Sequence, residues 1–356
     1  MSQDEKFEII SGALHEFNLN TPEIAILLVV NMQTDIVEND YQDFSVVTSY
    51  YTDKDLEELV TGFKNFATVV DLSYGEKEFI QKLQGGYFDQ FKKFKKVVYT
   101  QTASGVARSK SALIPALCEL YSIRYCSNDI FTGALLDNKM AANKLLNAWG
   151  MNLPDTWFYY YKVGWMGQEP SGTQPLICKS AYECASIGVT QDSVSQMSPE
   201  YLSFIHTLSL QLRQPVIVQS FIEGFEVEVP IIKIKTTMVP GITGISLNGN
   251  KKLGKMILTY DTIFEHGFDL FNFGKHSPEI SSQLEKESLR VYNALQLKGP
   301  VRMDYRITST GKYYLMDYNN SPHLGMQHSF AFAVREYGLG YEDLLKLLVY
   351  PVVFEV

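Results

Sequence analysis

Ile24–Val30 is seven apolar residues without a break, the pattern of a strand buried on both faces. The period then changes. Across residues 53–67, Leu56, Leu59, Val60 and Phe63 recur at i, i+3, i+4 and i+7, which predicts an amphipathic helix. Short apolar segments at 68–72 and 96–101 read as further strands. Segments 75–83 and 111–121 read as helices, the second carrying Leu113, Leu117 and Leu120. Strands alternating with helices through residue 125 predict a parallel α/β sheet.

The middle of the chain has a different rhythm. Residues 136–149 read as one helix with Gly150 as its C-cap. Aromatic-rich 157–161 and apolar 175–179 and 215–219 read as strands, with Ser180, Ser186 and Gly188 in a loop after the second. The last third predicts antiparallel structure. Asn248-Gly249 marks a tight turn, and 301–307 with 312–318 form a hairpin around 308–311. Segments 284–295 and 341–348 read as helices. No internal repeat or low-complexity linker is present.

Composition narrows the classes. A chain of 356 residues, 46% hydrophobic and 20% charged, is globular and long enough for two or three domains. A net charge of -9 argues against nucleic acid as a partner, because that binding rests on basic surface. The local exception, Lys92, Lys93, Lys95 and Lys96 among Phe91 and Phe94, reads as the solvated face of a helix end. The four cysteines include no CxxC pair, and Cys118 and Cys178 lie in apolar context as buried thiols. The first residues lack a basic and then apolar leader, so the expected compartment is a reducing cytoplasm. The longest apolar stretches, 24–30 and 347–354, fall short of the roughly 20 residues a membrane helix requires, so no membrane partner is expected.

The second hairpin carries the charge. With a loop of four residues, Ile307 faces Lys312, Asp304 faces Leu315 and Arg302 faces Asp317. Opposed residues share a face. Arg302, Asp304, Asp317 and Asn319 then lie on one face, and Val301, Met303, Tyr305, Tyr314 and Met316 on the other. Two carboxylates, an amide oxygen and a guanidinium suit a hard cation beside an anion. An exposed Arg302–Asp317 pair on a solvated strand is the alternative.

These residues resemble a known family. Arg302-Met-Asp304-Tyr-Arg, followed by Tyr314-Leu-Met-Asp317-Tyr-Asn319-Asn-Ser-Pro322, is similar to the metal-binding end of ATP-grasp ligases, in particular the D-alanine–D-alanine ligases and their divergent homologues. Three further segments occur in the family's order. Leu117 to Tyr125 with Asn138-Lys139 resembles the entry to the central domain. Lys179 with Glu183-Cys-Ala-Ser186-Ile-Gly188 resembles the phosphate-covering loop. Val218-Gln219-Ser220-Phe221-Ile222-Glu-Gly-Phe-Glu226 resembles the adenine hinge and ribose segment. The resemblance covers about 96–350 and implies an ATP-grasp α/β fold. Residues 1–127 would form the N-terminal α/β domain, 128–218 the central lid, and 219–356 the mixed or antiparallel C-terminal domain with the metal site.

The resemblance also implies roles. Lys139, Lys179 and Glu183 would serve the nucleotide, with Gln219, Ser220, Phe221 and Ile222 along adenine and Glu226 at the ribose. Asp304, Asp317 and Asn319 would hold two Mg²⁺ ions, with Mn²⁺ as a substitute. Arg302 would meet phosphate or the acyl intermediate, and Ser186 would close over the terminal phosphates. Gly325, His328 and Ser329 sit where the family receives its acceptor. The implied reaction is ATP-dependent joining of a small carboxylate to an amine through an acyl phosphate, in a homodimer. A nucleotide-binding protein without turnover, and a ligase with a hydroxyl or thiol acceptor, remain alternatives.

The chain also departs from the family's pattern. The first strand is followed by Asn31-Met-Gln-Thr rather than a Gly-rich acidic motif, Ala185 replaces a Ser, and Glu265-His266 replaces a Lys-Tyr pair. The segment bearing Arg108 and Lys110 is basic where the family is acidic, which hints at a carboxylate or other anion as substrate and points away from D-alanine. His323 and His328 flank Gly325 without the helical spacing or carboxylate partner of a metal pair. No GxSxG elbow, HExxH or P-loop occurs.

Overall fold

The computed structural model describes residues 1–20, 22–265 and 267–355, so the Glu265-His266 departure lies partly outside the described residues. A helix absent from the sequence reading, α1 (Gln3–Asn20), precedes β1 (Ile24–Val30). Then come α2 (Asp53–Lys64), β2 (Val69–Tyr74), α3 (Gly75–Gln84), β3 (Lys95–Gln101), α4 (Leu113–Leu120) and β4 (Arg124–Cys126). The strands form a parallel sheet in the order β2-β1-β3-β4, as the alternation predicts. β1 is buried along its whole length. Ile24, Ile26, Leu28 and Val30 pack with Ile10, Phe17, Leu59 and Phe63 on one side. Leu27 and Val29 pack with Phe79, Ile114 and Cys118 on the other. Thr52 starts α2 with a capping box, its hydroxyl accepting from Asp55 N at 3.1 Å while Asp55 accepts from Thr52 N at 3.1 Å. Lys95 and Lys96 open β3 rather than ending a helix, and Lys95 reaches Glu355 at 3.0 Å.

The expected helix over 136–149 is two helices, α5 (Ile130–Asp137) and α6 (Lys139–Ala148). Asn138 breaks it. Its backbone is not helical (φ -99°, ψ 89°), and its side chain accepts from Ala141 N at 3.1 Å, which makes it the cap of α6. Lys139 therefore stands at the first position of a helix. β5 (Thr156–Tyr160), β6 (Gly164–Trp165), β7 (Leu176–Ser180), β8 (Val194–Ser195), α7 (Pro199–Gln211) and β9 (Val216–Ser220) follow. They give an antiparallel sheet in the order β6-β5-β9-β7-β8. Its core takes in Tyr41, Val46 and Tyr50 from the β1–α2 connection, packed with Cys178, Ile187 and Tyr201.

The remainder comprises β10 (Phe225–Lys233), β11 (Thr237–Met238), β12 (Thr243–Ser246), α8 (Tyr260–Phe264), β13 (Asp269–Asn272), α9 (Phe273–His276), α10 (Pro278–Ala294), β14 (Val301–Ile307), β15 (Tyr313–Asn319), α11 (Ser329–Arg335) and α12 (Tyr341–Phe354). The antiparallel order is β13-β12-β10-β14-β15, with β11 on β10. Asn248 (φ 51°) and Gly249 (φ 77°) do form a tight turn, closed by mutual Leu247–Asn250 backbone bonds. α12 returns to the parallel sheet, where Leu344, Leu345 and Leu348 join the core around β1. No helix among the described residues is long and apolar enough to cross a membrane.

The β14–β15 register corrects the sequence reading. Ile307 faces Tyr313 because the loop has five residues, and a bulge between Asp304 and Tyr305 adds another step. Asp304 therefore faces Asp317, and Arg302 faces Asn319. Two one-residue slips restore the original parity, so the four polar residues still share a face. Tyr314 and Met316 do not join the apolar face. Tyr314 pairs with Arg306, while Leu315 and Tyr318 pack into the core with Met303 and Tyr305.

Candidate active site

The polar face of β14 and β15 floors a cleft of about 320 Å³ walled by all three sheets and their connections. Arg302 forks onto Asp304, with Nε to Oδ1 and Nη2 to Oδ2 both at 2.8 Å, and its Nη1 lies 3.1 Å from Glu228 Oε1. Glu228 comes from β10, directly opposite Asp304. The Arg302–Asp317 pair of the alternative reading does not form. Asp317 instead accepts two bonds from Lys139 Nζ, at 2.7 and 2.8 Å. Lys179 Nζ donates to Met316 O at 2.9 Å.

Burial and charge compete here, and each group has its own outcome. Burial would raise Asp317, but Lys139 and Lys179 hold it below the ordinary carboxylate range. Burial would deprotonate Lys139, but Asp317 outweighs it and raises the lysine. Lys179 lacks so close a partner, and burial lowers it. Burial raises Asp304 against the pull of Arg302, and raises Glu228 to about 7. The floor thus holds oxygen donors and three basic side chains close together, largely but not wholly enclosed.

One wall is apolar with a charged rim. Phe221, Ile222, Ile177 and Leu258 line the cleft beside Glu226, which pairs with Arg306 at 2.6 Å. Arg306 also lies 5.7 Å from the centre of the Phe221 ring. Gly224 (φ 154°) permits the chain to pass there. A Cβ would collide with the Ile307 carbonyl oxygen. Gln219 and Ser220 do not line the cleft, because β9 lies between β5 and β7 and Gln219 is buried with its amide on Thr156 at 3.1 Å.

The loop after β7 brings Ser186 to the cleft, its hydroxyl donating to Leu258 O at 2.9 Å. Glu183 also lines it, but its carboxylate is taken by Lys110 at 2.7 Å. Lys110 is thus held by an acid, and exposed Arg108 does not line the cleft. At the other end His328 and Ser329 line the wall, whereas Gly325 sits behind the two imidazoles. The His323 and His328 rings lie 4.3 Å apart, and Asp55 from α2 stands 3.9 Å from His323 Nε2, a carboxylate neighbour that the local sequence does not offer. Among the described residues, no group of three His, Cys, Asp or Glu closes around one point. Asp304, Asp317 and the amide of Asn319 are the neighbouring oxygen donors of the floor, a donor chemistry that suits a hard cation such as Mg²⁺.

Glu228, Arg306 and Tyr41 were not singled out from sequence. Glu228 and Arg306 had a signal: they follow Glu226 and Asp304 by two residues, and alternate residues of a strand share a face.

Comparison with known proteins agrees with this geometry. A family model described as D-ala D-ala ligase C-terminus matches residues 165–350. The D-alanine–D-alanine ligase of Aquifex aeolicus is 23% identical over 66% of this chain and 76% of its own. That of Cupriavidus necator is 24% identical, over 66% and 70%. Among solved structures, the D-alanine–D-alanine ligase of Bacillus anthracis, complexed with ATP, superposes with a TM-score of 0.66 at 15% identity, covering 93% of this chain and 98% of that one. The VanG D-Ala:D-Ser ligase of Enterococcus faecalis gives 0.61 at 16%, covering 93% and 100%. With more than half of its length matched, the chain belongs to the D-alanine–D-alanine ligase family of ATP-dependent carbon–nitrogen ligases and has the ATP-grasp fold.

Proposed function

We propose that this protein joins a small carboxylate to an amine through an acyl phosphate. The observation that carries the reading is the pairing of Lys139 with Asp317 beside Arg302 and Asp304 on the cleft floor. A carboxylate oxygen attacks the γ-phosphorus of ATP and ADP leaves. The amine then attacks the acyl carbon, the C–O bond to phosphate breaks, and phosphate departs with that oxygen. Little covalent chemistry falls to the protein, so positioning and charge neutralisation do the catalysis.

In this reading Phe221 and Ile222 flank adenine and Glu226 meets the ribose. Lys139, Lys179 and Ser186 receive the phosphates, and Arg302 the transferred group. Asp304, Asp317 and Asn319 would hold Mg²⁺, which when bound screens the phosphate charge. Lys139 and Arg302 balance the same carboxylates here, which keeps both cations where phosphate charge arrives. His328 and Ser329 would face the acceptor. The resemblance is the support for two ions, for Mn²⁺ as a substitute and for a homodimer. Three sheets support a three-part division such as 1–127, 128–218 and 219–356, with the second boundary moved past Ser220, because β9 is an inner strand of the middle sheet.

We also propose that the substrates are not two D-alanines. What supports this is the departure of Asn31-Met-Gln-Thr and of the basic segment of Arg108 and Lys110 from the family's pattern. The test is ATP turnover against pooled amino acids and small carboxylates, with product mass to separate an amide from an ester or thioester. ADP formation in particular pools, with D-alanine inactive, is expected. Turnover with D-alanine alone would overturn the substrate reading.

A further inference from the structure

The Glu183 side chain is fully enclosed, yet it is a carboxylate in the loop that walls the phosphate side of the cleft. Each oxygen has a partner. Oε2 accepts from Lys110 Nζ at 2.7 Å, and Oε1 accepts from Tyr41 OH at 2.6 Å and from Gln214 Nε2 at 3.3 Å. Gln214 also donates to Tyr41 OH at 2.7 Å and accepts from Tyr182 N at 2.8 Å. Lys110, 7% exposed, donates in addition to Gly105 O at 3.0 Å. A buried carboxylate so fully paired is rigid, and its neighbours in the chain inherit that rigidity.

Those neighbours are strained. Ala185 (φ 51°) and Ser186 (φ 54°) are consecutive non-glycine residues in the left-handed region. Such backbone persists only where the surroundings over-determine it. Ser186 is tied beyond by Leu258 O, and Val189 O accepts from Tyr260 N at 2.9 Å. Before the strained pair, Ala181 is tied by backbone bonds to Pro215 O and from Lys139 N, and Tyr182 and Glu183 follow; Cys184 O and Ser186 O accept from Ile187 N and Val189 N inside the turn.

Two of the partners of Glu183 come from connections of the parallel sheet. Tyr41 lies on the long β1–α2 connection, which is seated on the end of α7: Arg213 donates to the carbonyls of Asn39 and Asp40, and Gln211 Nε2 donates to Asp43 at 2.8 Å. Lys110 lies on the connection after β3, and Tyr50 OH holds that loop by accepting from Gly105 N at 3.1 Å and donating to Ala103 O at 3.2 Å. Both connections leave the carboxyl ends of parallel strands β1 and β3, the switch point of the sheet, where an α/β sheet receives its ligand.

We propose that Lys110 and Tyr41 are positioning residues, which hold the loop of Ala185 and Ser186 in its phosphate-receiving shape through Glu183. Lys110 lines the cleft, but its charge is committed to Glu183. The two connections that border the amino-terminal end of the cleft set the shape of the loop at the phosphate end, so the two ends are mechanically linked. This rests on the ligase reading only for what the loop covers.

The test uses readouts that need no substrate. Cys184 is exposed on the same loop, next to Glu183, while the other three cysteines are buried. Lys110 lowers and Glu183 raises the Cys184 thiol's pKa, so alkylation is compared as the thiolate rate taken from its pH profile. Lys110→Met and Glu183→Gln should each speed that rate about fivefold or more and weaken binding of a non-hydrolysable ATP analogue by about tenfold, the scale of one lost charge-assisted hydrogen bond. The double variant should be no worse than the poorer single one, since the two act as a unit. Lys110→Arg should restore most of both readouts. Tyr41→Phe keeps the ring and loses one bond, so it should give a smaller change in the same direction if the charge variants fold poorly. Unchanged alkylation and unchanged analogue binding in folded variants, or fully additive effects, would overturn the interlock. If wild-type protein turns over no substrate, the ligase reading fails alone, and the alkylation readout still decides the interlock.

Discussion

Lys139 Nζ bridges both carboxylate oxygens of Asp317, at 2.7 and 2.8 Å, joining the first residue of α6 to β15 across 178 positions of sequence. The bond depends on a broken helix. Had 136–149 been continuous, residue 139 would lie inside it instead of at a capped start. Asn138 sets that start, and the β14–β15 bulge sets where Asp317 points.

Replacing Asp317 with Asn should lower ADP formation at least about a hundredfold, the scale for removing one electrostatic group from a reaction site. It also leaves a buried Lys139 without its anion, so urea unfolding should show a loss of about 1–3 kcal/mol. Wild-type turnover in that variant would remove Asp317 from the chemistry.

Arg306 and Glu226 form one wall of the proposed nucleotide site. Arg306→Met should weaken binding of an ATP analogue about tenfold, or about 1.4 kcal/mol, by calorimetry. It removes the partner of Glu226 and the cation over Phe221 together. Undiminished affinity would place the nucleotide elsewhere.

Gly224→Ala should destabilise the chain by about 3 kcal/mol or more, because a Cβ meets the Ile307 carbonyl and the backbone is in a glycine conformation. Denaturant midpoints measure it. A shift under about 0.5 kcal/mol would show that the hinge relaxes freely.

Burial pushes the Cys118 thiol up to about 12 and raises Cys126 and Cys178 as well. Burial raises the Cys184 thiol too, so access and not acidity sets it apart: it is the exposed one of the four, and a thiol reagent should modify it first in the native protein. ATP should slow that reaction if the loop closes over phosphates. Mass spectrometry of the labelled peptides settles both points.

The polar face of the second hairpin was legible because strand alternation survives an even number of slips. Its partners across the strands were not, since nothing in Thr308 to Lys312 announces a five-residue loop and nothing near Met316 announces a bulge. The helix α1 went unread although Ile10, Ala13, Leu14 and Phe17 have helical spacing, and all four are buried. Lys110 could not be read, because its partner Glu183 lies 73 positions away and Tyr41 lies 142 from the same carboxylate. Local pattern reports which face a residue takes, and a tertiary ion pair leaves no local trace.

The most direct test of acyl-phosphate ligation follows oxygen. The responsive carboxylate, labelled with ¹⁸O, is turned over with ATP and Mg²⁺, and the products are weighed. The account predicts ADP and inorganic phosphate carrying one labelled oxygen from the carboxylate. Unlabelled phosphate, or AMP carrying the label, would contradict it.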